Sequence, residues 1–195
     1  MESEFDLLKK EVLLCTKCVL CKTRKNVVFG EGNTNAKIIL IGEGPGNDED
    51  IQGRPFVGRS GQLLDKILDS CGFNRKDHVF IGNIVKCRPP QNRVPLPEER
   101  EACVPYLLKQ VELINPKIII LLGATALSLV NPALKISKAR GSWLSYNNRL
   151  VMPTYHPSAL LRNPNLKSDT WEDFKKVFYK YKELVDNNHF SKYIN

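Results

Sequence analysis

The chain of 195 residues lacks any long apolar run. Its most hydrophobic stretches, such as Ile118-Ile119-Ile120-Leu121-Leu122, fall far short of the roughly 20 residues needed to cross a bilayer, so no membrane span is expected. A secretory start is missing too. Met1-Glu2-Ser3-Glu4-Phe5-Asp6 is acidic where a signal would be basic and then apolar, which points to the cytoplasm. No internal repeat, low-complexity tract or linker interrupts the chain, and a single domain over residues 1–195 is expected. Neither the glycine-rich dinucleotide fingerprint nor the phosphate-loop lysine occurs, which argues against a nucleotide cofactor. What is present, 42% hydrophobic and 26% charged residues, suffices to bury a full core and excludes disordered and fibrous classes.

Charge is unevenly placed. The net +8 divides into 7 basic and 9 acidic side chains in residues 1–50 against 22 and 12 in residues 51–195. The later part of the chain therefore suits a polyanion such as nucleic acid.

Apolar periodicity alternates between strand and helix. An amphipathic helix carrying Phe5, Leu8, Val12 and Leu13 opens the chain, and Ile38-Ile39-Leu40-Ile41 reads as a buried strand running into Gly42-Glu43-Gly44-Pro45-Gly46. Helices are predicted over Gln62–Cys71, over about eighteen residues from Glu98, with Pro105 irregularising the first half, over Ala124–Val130 and over Ser168–Asn187. Strands are predicted over His78–Val85, Lys117–Leu122 and Arg149–Met152. This alternation predicts a parallel sheet covered on both faces, with ligands at the carboxyl ends of the strands, where the Gly42 loop, Asn83 and His156 would converge.

The six cysteines cluster as Cys15-x-x-Cys18-x-x-Cys21 with Cys87 and Cys103 further on, while Cys71 sits on a helix face and reads as a small core residue. In a reducing compartment such thiols suit tetrahedral zinc or an iron-sulfur cluster. Spacing alone allows Cys21 in place of Cys15 or Cys18.

Four acidic residues, Glu43, Asp48, Glu49 and Asp50, crowd the glycine loop, repelling phosphate and suiting proton handling or water positioning. Phe56, between Gly53 and Gly58, reads either as core or as a face on which a flat base stacks. Asn83 offers the donor and acceptor that a pyrimidine edge requires, or it caps a turn. His156 offers a hydrogen bond near neutral pH, or it is structural.

Taken together, the segments Gly42–Asp50, Gly53–Gly58, Asn83-Ile84-Val85-Lys86-Cys87-Arg88-Pro89-Pro90 and His156-Pro157-Ser158-Ala159-Leu160-Leu161-Arg162-Asn163-Pro164 resemble the family 4 uracil-DNA glycosylases, in the same order from about Cys15 to Pro164. The resemblance implies a three-layer α/β/α fold around a central four-stranded parallel sheet. It also implies a structural 4Fe-4S cluster on Cys15, Cys18, Cys87 and Cys103, which leaves Cys21 outside the ligand set.

The implied reaction is hydrolysis of the N-glycosidic bond of deoxyuridine in single- or double-stranded DNA, by a monomer. A sliding clamp as partner has no support in the sequence. Phe56 would stack on uracil and Asn83 would read its edge, with Gly44 and Glu49 completing the substrate contacts and Glu49 crowding a thymine methyl. His156 would stabilise charge on O2 of the departing base, and Glu43 would position water or stabilise the sugar cation. Leu160 matches the apolar wedge that fills the vacated stack. Ser158, Arg162 and Arg88 would face DNA, with Lys86 and Arg93 added on charge and loop placement. The best-known uracil glycosylase family has an aspartate where Gly44 stands. The covalently trapping enzymes carry a basic, histidine-containing insertion that this sequence lacks, which favours hydrolysis.

Overall fold

The computed structural model describes residues 2–194. Its centre is one six-stranded sheet formed by β1 (Glu31–Gly32), β2 (Ile38–Gly42), β3 (Val79–Asn83), β4 (Ile118–Leu122), β5 (Leu144–Tyr146) and β6 (Arg149–Thr154), in the order β1-β3-β2-β4-β6-β5. The four inner strands are parallel, and the two edge strands are antiparallel. The expected four-stranded parallel sheet is thus the middle of a larger one. Both edges escaped the pattern because β1 has only two residues, and β5 has three that are half-buried or exposed.

Among the described residues, eight α-helices cover the sheet: α1 (Glu4–Leu13), α2 (Asn47–Gln52), α3 (Arg59–Ser70), α4 (Pro97–Ile114), α5 (Ala124–Leu127), α6 (Ile136–Ala139), α7 (Pro157–Arg162) and α8 (Leu166–Leu184). Alternate strand residues enter opposite cores, as a pleated strand dictates. Ile39, Ile41, Ile119 and Leu121 pack with Leu8, Val12, Leu107 and Val111 from α1 and α4. Ile38, Leu40, Ile118 and Ile120 pack with Leu64, Leu68, Phe174 and Val177 from α3 and α8. Cys71 lies in this second core, as expected of a small apolar residue. The result is the three-layer arrangement. Among the described residues, no helix is long and apolar enough to cross a membrane.

One short helix, α2, differs from the sequence reading and matters for the site. Asp48, Glu49 and Asp50 occupy the first turn of α2, where the positive end of a helix favours anions. Asp50 Oδ1 accepts from the main-chain N–H of Lys25 at 2.9 Å, tying down the segment after the first cysteines. Within the acidic cluster Asp50 is therefore a structural member. Pro105 sits within the unbroken α4, on its exposed side.

Register places the strand ends level with one another. Gly42 pairs with Asn83, and Leu122 pairs with Thr154, so the loops after β2, β3, β4 and β6 leave the sheet together. In sheet order the connection direction reverses between β2 and β4, the place where open α/β sheets form a crevice.

Candidate active site and cysteine centre

A cleft of about 650 Å³ lies at these strand ends, lined by Glu43, Gly44, Glu49, Phe56, Asn83, Thr125, Tyr155, His156, Ser158 and Arg162 among others. The sequence-predicted convergence of the Gly42 loop, Asn83 and His156 is realised here.

Phe56 is held in place by its surroundings. Its φ of 52° lies in the left-handed region, a strained choice for a bulky residue. Arg75 secures this backbone, donating from Nη1 to the Phe56 carbonyl at 2.7 Å and from Nη2 to that of Pro55. Glu49 Oε1 accepts from the N–H groups of Val57 at 2.8 Å and Gly58 at 2.9 Å. Glu49 is therefore a buried latch on the Phe56 loop as well as a cleft wall. Gly42 provides the close approach: a Cβ there would come within 2.4 Å of Asn83 Oδ1 and 2.7 Å of the Phe56 ring.

Asn83 ends β3 with 1% of its surface exposed, and its side-chain Oδ1 is buried with no hydrogen-bond partner among the described residues. An unpaired buried acceptor costs about 1–3 kcal/mol, which a donor arriving in the cleft would relieve. The Asn83 main-chain carbonyl is fixed separately by Lys86 Nζ at 2.9 Å.

His156 caps α7. Its Nδ1 accepts from the Ser158 N–H at 3.1 Å and lies 2.8 Å from Ser158 Oγ. An accepting Nδ1 leaves the ring proton on Nε2. Burial, reinforced by the Arg162 charge, pushes the imidazole down to about 4, so the ring is neutral at pH 7. Its centroid is 5.5 Å from that of Phe56. Glu43, just past the end of β2, receives the Thr125 hydroxyl on Oε2.

The DNA-facing residues need corrections. Leu160, expected as the wedge, is 1% exposed, whereas Leu161 is 39% exposed. Successive helical residues point about 100° apart, so α7 turns Leu160 into the core and Leu161 outward. Lys86, expected at phosphate, is 1% exposed. Arg93 pairs at 2.6 Å with the buried Glu99. Arg88 spans from Asn92 Oδ1 to Asn47 Oδ1, both at 2.7 Å, bracing the loop after β3 against α2. Arg162 and Ser158 lie at the cleft.

Cys15, Cys18, Cys21, Cys87 and Cys103 line one pocket between α1, the segment after it and α4. Arg24 donates to Cys87 Sγ at 3.2 Å, and the Lys86 main-chain N–H donates to Cys103 Sγ at 3.3 Å. Lys86 Nζ has Gln110 Oε1 at 2.6 Å as its second partner and no carboxylate. An all-thiol donor set with N–H donors and a buried, acid-free cation beside it fits an anionic metal-thiolate group. Burial raises the Cys18, Cys87 and Cys103 thiols, Cys87 to about 11, so bound metal would be needed to hold them as thiolates. Among the described residues, no three His, Cys, Asp or Glu side chains form a ready single-ion site.

Three contributors escaped the sequence reading. Arg75 gave no signal, being far from any motif. Leu161 adjoins Leu160 on α7 and differs from it only in the direction it faces. Thr125 sits just past the carboxyl end of β4, a position that the fold class itself marks as functional.

Residues 29–175 match the family model described as the uracil DNA glycosylase superfamily. The chain belongs to that superfamily. Within it, the chain is 49% identical over 183 residues to the type-4 uracil-DNA glycosylase of Thermotoga maritima, covering 90% of this chain and 94% of the relative. It is 48% identical over 182 residues to the type-4 enzyme of Saccharolobus solfataricus, covering 88% and 84%. Similarity to a type-5 uracil-DNA glycosylase of Pyrobaculum aerophilum is weaker, 31% over 146 residues, covering 66% and 64%.

Proposed function

We propose that the cleft receives a uracil flipped out of DNA and that the chain hydrolyses its N-glycosidic bond, releasing the base and leaving an abasic sugar for base excision repair. The observation that carries this reading is the buried, unpaired Asn83 Oδ1 beside Phe56 and a neutral His156. With uracil stacked on Phe56, Asn83 Oδ1 accepts from N3–H and Nδ2 donates to O4. Cytosine presents an acceptor at N3 and an amine at C4, leaving both Asn83 groups unsatisfied, which rejects it.

As the bond from N1 to the sugar breaks, its electron pair moves into the base and negative charge gathers on O2. His156 Nε2–H donates to that oxygen. Loss of one such donor typically costs about 10²–10³ in rate. The neutral imidazole donates from Nε2 while its Nδ1 stays held by the Ser158 N–H, which fixes the ring's orientation. Glu43 faces the sugar with a carboxylate that stabilises developing positive charge and orients the water whose oxygen bonds to the anomeric carbon. Flipping costs a few kcal/mol, and Leu161 is the apolar side chain on α7 exposed enough to fill the vacated stack, with Arg162 and Ser158 toward the backbone. Gly44 keeps the cleft wall low: a Cβ there would meet Val85 Cγ2 at 2.7 Å.

Cys15, Cys18, Cys87 and Cys103 would hold a 4Fe-4S cluster, which when bound supplies a rigid tie between the N-terminal segment, the loop after β3 and α4. The chain works as one domain over residues 1–195, as a monomer, on cytoplasmic nucleoid DNA. Incubation of the purified protein with an oligonucleotide containing one uracil is expected to release free uracil and leave an alkali-labile site. Strands that stay intact after alkali would overturn the proposal.

A further inference from the structure

The two oxygens of the Glu43 carboxylate are held unequally. Thr125 donates its hydroxyl to Oε2, and the hydrogen bonds among the described residues leave Oε1 to the cleft that both side chains line. Thr125 is itself anchored. Gly123, with φ of 92°, turns the chain at the end of β4 while its N–H donates to the Thr154 carbonyl at 2.9 Å. Two residues beyond, the Thr125 carbonyl accepts from Ser128 Oγ at 2.7 Å. The hydroxyl that meets Glu43 therefore rides on main chain pinned to β6, the strand that leads into His156.

We propose that Thr125 is a positioning residue for Glu43: it occupies one carboxylate oxygen so that the other is presented to the water and sugar at the reacting carbon. An ionised carboxylate only accepts, so the Thr125 hydroxyl must donate, which fixes the orientation of both groups. Without that bond the carboxylate rotates about its last side-chain torsion, a broad and soft coordinate, and its free oxygen is no longer aimed. The hydroxyl is committed to Glu43 in this arrangement. Its removal should lower the chemical step and spare DNA binding. The inference rests on the role given to Glu43 in the proposed function.

The test is single-turnover excision and DNA affinity measured on Thr125→Val, Thr125→Ser, Glu43→Gln and the double variant Glu43→Gln/Thr125→Val. Valine is nearly isosteric, and unchanged melting temperatures check that each variant folds. Thr125→Val is expected to slow excision about tenfold with affinity within about twofold, while Thr125→Ser, which keeps the hydroxyl, stays within about threefold of wild type. In the Glu43→Gln background the valine should add no further loss, because the aimed carboxylate is already gone. A wild-type rate for Thr125→Val, or losses that multiply in the double variant, would overturn the assignment. If Glu43→Gln alone excises at the wild-type rate, the Glu43 role itself falls, an outcome separable from failure of Thr125.

Discussion

Neutral His156 makes stability depend on pH, which urea unfolding and magnetic resonance can both read. Burial, with Arg162 adding to it, lowers its imidazole from 6.5 to about 4 in the folded chain. The unfolded chain therefore binds a proton on this group below about pH 6.5, whereas the folded chain does so only below about pH 4. Stability rises with pH wherever the unfolded state holds more protons, so this contribution is lost as pH falls through the window from 6.5 to about 4 and is flat outside it. The whole window is worth about 3 kcal/mol, of which about 2 kcal/mol is gone by about pH 5. Other groups titrate in the same range, and the His156→Asn variant isolates the effect. Between about pH 7.5 and 5, wild type should lose about 2 kcal/mol more stability than the variant in urea unfolding. The chain has three histidines, so nitrogen spectra of the ring are tractable. His156 should titrate near 4 with its proton on Nε2. Titration near 6.5, or a proton on Nδ1, would refute the assignment of a neutral donor aimed at O2.

Other perturbations test separate parts of the account. Leu160→Ala should destabilise the fold by about 2–5 kcal/mol, as core truncations do. Leu161→Ala should leave the melting temperature unchanged and slow excision from duplex DNA more than from single strands; equal losses on both substrates would count against a wedge. Gly42→Ala places a methyl within 2.4 Å of Asn83 Oδ1 and 2.7 Å of the Phe56 ring, and should abolish most excision while leaving DNA binding intact. A Gly42→Ala enzyme of normal rate would show that this close approach is unnecessary. For the cysteine centre, Cys18→Ser, Cys87→Ser and Cys103→Ser should each purify with less iron and less visible absorbance, and Cys21→Ser should match wild type; iron loss in the Cys21 variant alone would reassign the ligands.

The inner strands and long helices were legible because each is a clean periodic signal: Ile118–Leu122 is a buried run, and α3 repeats its apolar positions at helical spacing. The two edge strands are too short to carry a period. Side-chain direction within α7 was harder to read, since adjacent leucines in a six-residue helix differ only in which way the turn points them. Lys86 was misplaced for a different reason. A basic side chain in a loop reads as surface, and only the folded chain reveals that Gln110 and the Asn83 carbonyl enclose it; Arg93, though engaged by Glu99, does line the cleft. The acidic loop residues were correctly grouped in sequence, yet their duties divided: Glu49 and Asp50 hold backbone N–H groups, and Glu43 alone pairs with a side chain across the cleft. Arg75, which secures the Phe56 carbonyl from nineteen residues away, has meaning only once the chain has folded.

The central claim is that Asn83 reads the edge of a uracil held against Phe56. Its most direct test is single-turnover excision by wild type and Asn83→Ala on matched oligonucleotides carrying either uracil or cytosine at one position. Wild type should remove uracil and leave cytosine, and Asn83→Ala should lose most uracil excision while still binding the DNA. Uracil removal at an undiminished rate by Asn83→Ala, or cytosine removal by wild type, would contradict it.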